Sequence, residues 1–266
     1  MSNRSYLFVP GNRPERFDKA IGSGADVVIL DLEDAVAAAD KDGARDAVRG
    51  WLNPAKPVYV RVNAADTGWF AADLQLAGLP GIAGIALPKA ESAAAIREIH
   101  RCAGASVQIL PIIETAMGLW RAEAVASAPG VVRLAFGSVD FQLDTGITGE
   151  REELLFARSQ LVLVSRVAGL LPPVDGVTVA LDDEAVLRRD VAQSRRMGFG
   201  GKLAIHPKQV RGINEGFLPQ PAEIAWAQQV VAAAGAAGNN AVRLDGKLID
   251  LPIIERARAL LAAVTA

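Results

Sequence analysis

Glu114 closes the apolar run Gln108-Ile-Leu-Pro-Ile-Ile-Glu114, and Asp140 closes Val132-Arg-Leu-Ala-Phe-Gly-Ser-Val-Asp140. Both runs read as strands. If they are parallel neighbours, about 5 Å apart, the two carboxylates crown the same rim. Such a pair suits Mg2+, which takes oxygen ligands, accepts one or two carboxylates and keeps its other positions for water or substrate oxygens. The competing reading is two solvated acids in unrelated loops.

Other polar residues fall at strand ends. Asp31-Leu-Glu33-Asp34 puts three acids in four positions, a density that needs cations, metal or water beside it. Glu33 and Asp34 are candidates to orient metal-bound water, or they cap the next loop. Arg61, in Tyr59-Val-Arg-Val-Asn63, is a cation inside an apolar strand. Its guanidinium offers two directed donors to an enolate or carboxylate oxygen, and a structural pair with Asp31 is the alternative. Lys89, after Leu87-Pro88, aims at the same rim, with a simple pairing to Glu114 as its plainer role. Arg13, Arg16 and Lys19 follow the turn Val9-Pro-Gly-Asn-Arg13, where helix-end amides and cations could hold an anion. His206 reads as a hydrogen bonder that stabilises the fold, and His100, flanked by Arg97 and Arg101, as solvated.

Positioning these groups requires an alternating chain. Eight β-rich runs are expected at 6–9, 26–31, 58–62, 84–88, 107–114, 131–137, 175–180 and 201–206. Unbroken apolar stretches such as Val27-Val-Ile-Leu30 suit strands covered on both faces, as in a parallel sheet. Helices are expected at 13–23, 40–52, 92–103, 116–128, 150–169 and 183–197, with Ser92 as an N-cap and Gly104 and Gly198 as terminators. Eight βα units favour an α/β fold, a closed (β/α)8 barrel with its active site at the C-terminal rim, although alternation alone also fits a doubly wound sheet. The expected organisation is a barrel over 1–218 and a small helical extension over 219–266. That extension has helices at 222–236 and 251–264, a strand at 241–244 and a joint at Gly238-Asn239-Asn240.

Composition narrows the partners. The 266 residues carry a net charge of −2, and no Lys/Arg cluster marks a nucleic-acid or membrane surface. Small molecules are therefore the expected ligands. Cys102 is the only cysteine, which excludes an intrachain disulfide and any cysteine zinc motif. The N-terminus has no secretory signal pattern, so a cytoplasmic protein is expected. Nucleophile elbows, Walker loops and zinc-type histidine pairs do not occur, and Gly198-Phe-Gly-Gly-Lys202 lacks phosphate-loop spacing.

Seven segments, in order, resemble the citrate lyase β-subunit-like branch of the HpcH/HpaI aldolase superfamily, near the malyl-CoA and citramalyl-CoA lyases. They are Phe8-Val-Pro-Gly-Asn-Arg-Pro-Glu-Arg-Phe17, Asp31-Leu-Glu-Asp-Ala-Val36, Val60-Arg-Val-Asn63, Leu87-Pro-Lys-Ala-Glu-Ser92, Ile113-Glu-Thr-Ala-Met-Gly118, Phe136-Gly-Ser-Val-Asp-Phe141 and Ala204-Ile-His-Pro-Lys-Gln209. The resemblance implies that Glu114 and Asp140 bind Mg2+ and that Arg61 contacts a keto-acid oxygen. It places Arg13 and Lys19 near the phosphates of a coenzyme A thioester. Asp245-Gly-Lys-Leu-Ile-Asp250 resembles the lid motif of CoA-ester lyases, which makes Asp250 the acid/base, reaching a neighbouring subunit's site in a homotrimer. Ser138-Val-Asp-Phe-Gln-Leu-Asp-Thr-Gly146 departs from the malyl-CoA lyase pattern, so the 2-oxo acid stays open. Two other enzymatic readings stay open too, an aldolase acting on free pyruvate-derived keto acids and a citrate lyase β-type subunit acting on a carrier-bound thioester.

Overall fold

The computed structural model describes residues 3–236 and 241–265, in two compact units. The first, Asn3–Asn214, is built on a closed barrel of eight parallel strands in sequence order. These are β1 Ser5–Pro10, β2 Val27–Asp31, β3 Val58–Arg61, β4 Ile82–Leu87, β5 Gln108–Ile113, β6 Ala135–Phe136, β7 Val174–Asp175 and β8 Gly201–Ala204. Closure joins β8 back to β1, with Leu203 opposite Tyr6. The fold is thus the expected TIM barrel. Alternation sends one residue in two inward, and Ile29, Tyr59, Ala86, Leu110, Ile112, Ala135, Val174 and Leu203 fill the barrel as a buried apolar cluster.

Around the strands run α1 Phe17–Ile21, α2 Lys41–Trp51, α3 Phe70–Asp73, α4 Ala93–Ala103, α5 Ala116–Trp120, α6 Ala122–Ala126, α7 Ser138–Thr145, α8 Leu155–Val167, α9 Glu184–Met197 and α10 Pro207–Gly216. Several ends follow local chemistry. Ser92 accepts hydrogen bonds from the amides of Ala94 and Ala95 at the start of α4, and Gly198 stops α9 in the left-handed region at φ 97°. Outside the barrel wall, Asp175 accepts from Arg158 Nε at 3.0 Å and from Ser194 Oγ, which ties β7 to α8 and α9. Lys202 of β8, also buried, donates to the Gly176 carbonyl at 2.6 Å.

Some expected elements differ. The run at 131–137 pairs with β5 through a lone bridge at Val131 and then the two residues of β6, interrupted where Arg133 turns to the N-terminal rim and donates to the carbonyls of Asn3 and Pro172. Strand seven ends at Asp175, and 176–180 leave the ladder as a loop in which Thr178 donates to Asp190. The helix expected at 116–128 is two, broken at Arg121. His100 is half-buried rather than solvated. α3 and α7 had no counterpart among the expected helices, whereas α10 starts at Pro207, the position expected to open a helix after strand eight.

The second compact unit, from Glu215 onward, pairs α11 Pro221–Ala236 with α12 Leu251–Thr265. Ala227, Val230, Ala234, Ile249, Ile254 and Ala257 form its buried core. Between the helices lies an antiparallel hairpin, β9 Val242–Leu244 with β10 Lys247–Ile249, where a single strand had been expected. Asp245 and Gly246 turn it at φ 48° and 78°, as an Asp-Gly hairpin turn requires. The expected joint at Gly238-Asn239-Asn240 lies outside the described residues.

Candidate active site

At the C-terminal rim of the barrel a cavity of about 390 Å3 opens between the strand ends, the size of a small-molecule site. Glu114, Asp140 and Arg61 all line it. The neighbouring strands argued for from the sequence are observed, since β5 and β6 pair in parallel through Ile112–Ala135 and Ile113–Phe136. Glu114 follows β5 directly and is buried. Asp140 is not a strand-end residue. It stands in the first turn of α7, an element the sequence reading did not separate from the strand, and is half-buried.

Each acid has a specific environment. Lys89 donates its backbone N–H to Glu114 Oε1 at 2.8 Å. On the other side Gly137 lies so close that a Cβ there would stand 2.3 Å from Glu114 Oε2. Burial, with Glu33 and Asp140 nearby, pushes the Glu114 carboxyl from 4.5 up to about 8, against the pull of Arg61. Burial also raises Asp140, helped by Asp34, and raises Glu33.

Arg61 is held from several sides. Its Nε and Nη2 donate to the two oxygens of Asp31 at 2.7 and 2.6 Å, and Nη1 pairs with Glu33 at 2.8 Å. Asp34 is a longer partner at 3.5 Å, and the Phe8 ring lies 4.6 Å from the guanidinium carbon. The structural pairing with Asp31 therefore exists, yet the same guanidinium still faces the cavity. Burial alone would lower its pKa, but Asp31 dominates and raises it, so the charge is permanent. Lys89 differs from the plainer expectation. Its ammonium pairs with Glu33 at 2.8 Å, while Glu114 takes its backbone amide.

The remaining expected residues are more dispersed. Arg13 and Lys19, exposed around α1, do not line the cavity and make no ion pair among the described residues. Asp250 precedes α12 in the second unit, and its buried Oδ1 has no hydrogen-bond partner among the described residues. His206 accepts the Lys208 amide, which agrees with a fold-stabilising role. Sequence reading missed the apolar walls Phe8, Ile112, Val177, Leu203 and Ile205. Their signal was positional, since each lies in the C-terminal half of a strand or just beyond it.

The donor set can be tested against a metal. Among the described residues no group of three or more His, Cys, Asp or Glu converges as a cage. That excludes an all-protein site but fits Mg2+, which is held by one or two carboxylates and completed by water and substrate. Glu33, Glu114 and Asp140 are all raised, chiefly by burial, and a cation held by Glu114 and Asp140 would offset the cost of burying their charges.

Residues 4–207 match the model of the HpcH/HpaI aldolase/citrate lyase family. The chain belongs to that family. As a member of the HpcH/HpaI aldolase/citrate lyase family it is an enzyme of the lyase type. A citrate lyase subunit beta-like protein of Deinococcus radiodurans is 38% identical over 97% of this chain and 96% of its own length. A (3S)-malyl-CoA thioesterase of Cereibacter sphaeroides is 36% identical over 99% of this chain and 95% of its own. The crystal structure of protein CitE from Mycobacterium tuberculosis, in complex with magnesium, acetoacetate and coenzyme A, superposes with a TM-score of 0.89 at 33% identity. It covers 100% of this chain and 99% of that one.

Proposed function

We propose that this enzyme is a Mg2+-dependent carbon–carbon lyase that cleaves a β-hydroxyacyl-CoA of the malyl or citramalyl type to acetyl-CoA and a 2-oxo acid. The observation that carries the reading is the convergence of Glu114, Asp140 and Arg61 on one cavity. Further support comes from the similar M. tuberculosis protein, solved with magnesium, acetoacetate and coenzyme A. Glu114 and Asp140 would hold Mg2+, which supplies Lewis acidity toward the substrate's hydroxyl and carboxylate oxygens. Arg61 offers its remaining N–H donors to the oxygen that becomes the carbonyl, and its charge stabilises that oxygen as the carbon–carbon bond breaks. The substrate's hydroxyl proton leaves to solvent as the carbonyl forms, the bonding pair passes to the thioester as an enolate, and the enolate carbon takes the proton held by Asp250, which recovers one from solvent. In the reverse direction Asp250 removes a methyl proton from acetyl-CoA. The exposed, unpaired Arg13 and Lys19 suit the CoA phosphates.

Assay of malyl-CoA, citramalyl-CoA and citryl-CoA with Mg2+ tests the substrate. Formation of acetyl-CoA with glyoxylate, pyruvate or oxaloacetate supports the lyase. Formation of free CoA and malate instead supports thioester hydrolysis, the reading favoured by the malyl-CoA thioesterase relative. Asp250→Asn should bind Mg2+ as the wild type does and lose exchange of acetyl-CoA methyl protons with solvent; full exchange would remove Asp250 from the mechanism. The proposed assembly is a homotrimer, supported by the exposed apolar side chains of α5, α7 and α8.

A further inference from the structure

Lys89 has a backbone that L residues seldom adopt. Its φ is +46°, one of two positive values outside glycine among the described residues, and the other, Asp245, belongs to a hairpin turn. The strain has a local geometry. Leu87 ends β4 opposite Pro111, and after Pro88 the Ala90 amide returns to the Ile112 carbonyl at 3.1 Å. Lys89 alone steps out of the run, and that step aims its N–H at Glu114 Oε1, 2.8 Å away. Glycine would take this conformation without cost, so the side chain needs its own reason. The ammonium meets Glu33 Oε1 at 2.8 Å, and the other oxygen of Glu33 pairs with Arg61 Nη1 at 2.8 Å.

We infer that Lys89 is a positioning residue with two separable tasks: its main chain aims Glu114, and its ammonium, through Glu33, sets the guanidinium of Arg61. The inference rests on the reading of Glu114 as a metal ligand and of Arg61 as the contact for a keto-acid oxygen. A strained residue that served packing alone would not place one donor on each half of the site.

The test is binding, measured by Mn2+ EPR titration and by calorimetry of pyruvate in the presence of Mn2+, on wild type, Lys89→Gly, Lys89→Val and Lys89→Arg. Circular dichroism confirms that each is folded. Lys89→Gly keeps the turn and the N–H but loses the ammonium. It should hold Mn2+ within about threefold of wild type and bind pyruvate about tenfold or more weakly. Lys89→Val, β-branched and ill suited to positive φ, should weaken Mn2+ as well. Lys89→Arg should restore pyruvate binding. If Lys89→Gly loses Mn2+ as severely as Lys89→Val, the main-chain task is wrong; if it binds pyruvate as wild type does, the ammonium's task is wrong. A wild-type chain that binds no Mn2+ overturns the metal reading itself, and this inference with it.

Discussion

Glu114 is the residue whose chemistry is most altered by its surroundings. A carboxyl pushed to about 8 by burial and by its acidic neighbours is mostly protonated at neutral pH, and a divalent cation must displace that proton. Between the ordinary value of 4.5 and about 8, Mg2+ affinity should therefore rise with pH by up to about tenfold per unit, then level off above 8. Calorimetry at pH 7 in buffers of different ionisation enthalpy should register close to one proton released per Mg2+, declining toward none at pH 9. Absence of release at pH 7 would contradict the protonated Glu114. The sign for stability follows. In the metal-free chain the raised pKa favours the folded state fully below about 4.5, and that contribution fades as pH rises through about 8. The identities of Glu114, Asp140 and Arg61 as neighbours were legible because each terminates or lies within a run too apolar for a casual charge. The partners of Arg61 were legible only in outline. Asp31 and Glu33 stand two residues apart and both reach the same guanidinium, which depends on the turn after β2, where the Glu33 amide folds back onto Asp31 Oδ1 at 2.9 Å.

At the scale of elements, the junction of β6 and α7 decides whether the two carboxylates meet. Gly137 links them at φ −87°, where alanine carries no backbone penalty, so its absent Cβ matters for space rather than for conformation. A methyl group there would lie 2.3 Å from Glu114 Oε2 and 2.5 Å from Glu114 Cβ. Rotation about χ1 leaves Cβ in place, so Gly137→Ala should push the main chain at Glu114 and Gly137 apart, carry the carboxylate with it and weaken Mn2+ binding at least tenfold, while the protein stays folded by circular dichroism; unchanged Mn2+ affinity would show that this junction has room to move. The alternation of strands and helices was legible from unbroken apolar runs because both faces of a parallel sheet are covered. The short strands were not. Val131 to Phe136 has the composition of a six-residue strand, but the buried Arg133 spends its middle on carbonyls at the N-terminal rim. Val177 to Val179 has β-type alternation, yet Gly176 packs on Ser138 so closely that a Cβ would meet its Oγ at 2.2 Å, and the chain leaves the ladder there. The β9–β10 hairpin had a readable signal in Asp245-Gly246, which three-residue strands left without support.

For the whole molecule, the surface of the first unit argues for a partner of its own kind. α8 is amphipathic in neither direction. Ala157, Arg158, Leu161 and Ser165 face inward, while Phe156, Leu163 and Val167 lie 76%, 65% and 77% exposed on a stripe spaced for one helical face. Gln160, on that stripe, donates to the Leu119 carbonyl and brings the 85% exposed Trp120 alongside. The Ala116 amide binds Asp144, which places α7 and its 83% exposed Leu143 at the other side of α5. Large apolar side chains left this open on three helices are what a face covered by another subunit would show. The exposed charges carried on and next to these helices are of both signs, Arg121, Arg151 and Arg166 with Glu123, Glu152 and Asp144, which suits self-pairing better than an anionic lipid surface. Sedimentation should find the wild type as a trimer and Trp120→Glu/Phe156→Glu as a folded monomer; a wild type that sediments as a monomer would overturn the assembly. The assembly also gives Asp250 a definite test. If it serves a neighbour's cavity, mixing inactive Arg61→Ala with inactive Asp250→Asn chains should restore turnover, because some mixed sites then hold both wild-type residues. The same mixture built on the monomeric background should stay inactive. Co-expressed trimeric mixtures that recover no activity would overturn the service of Asp250 to a neighbour's cavity.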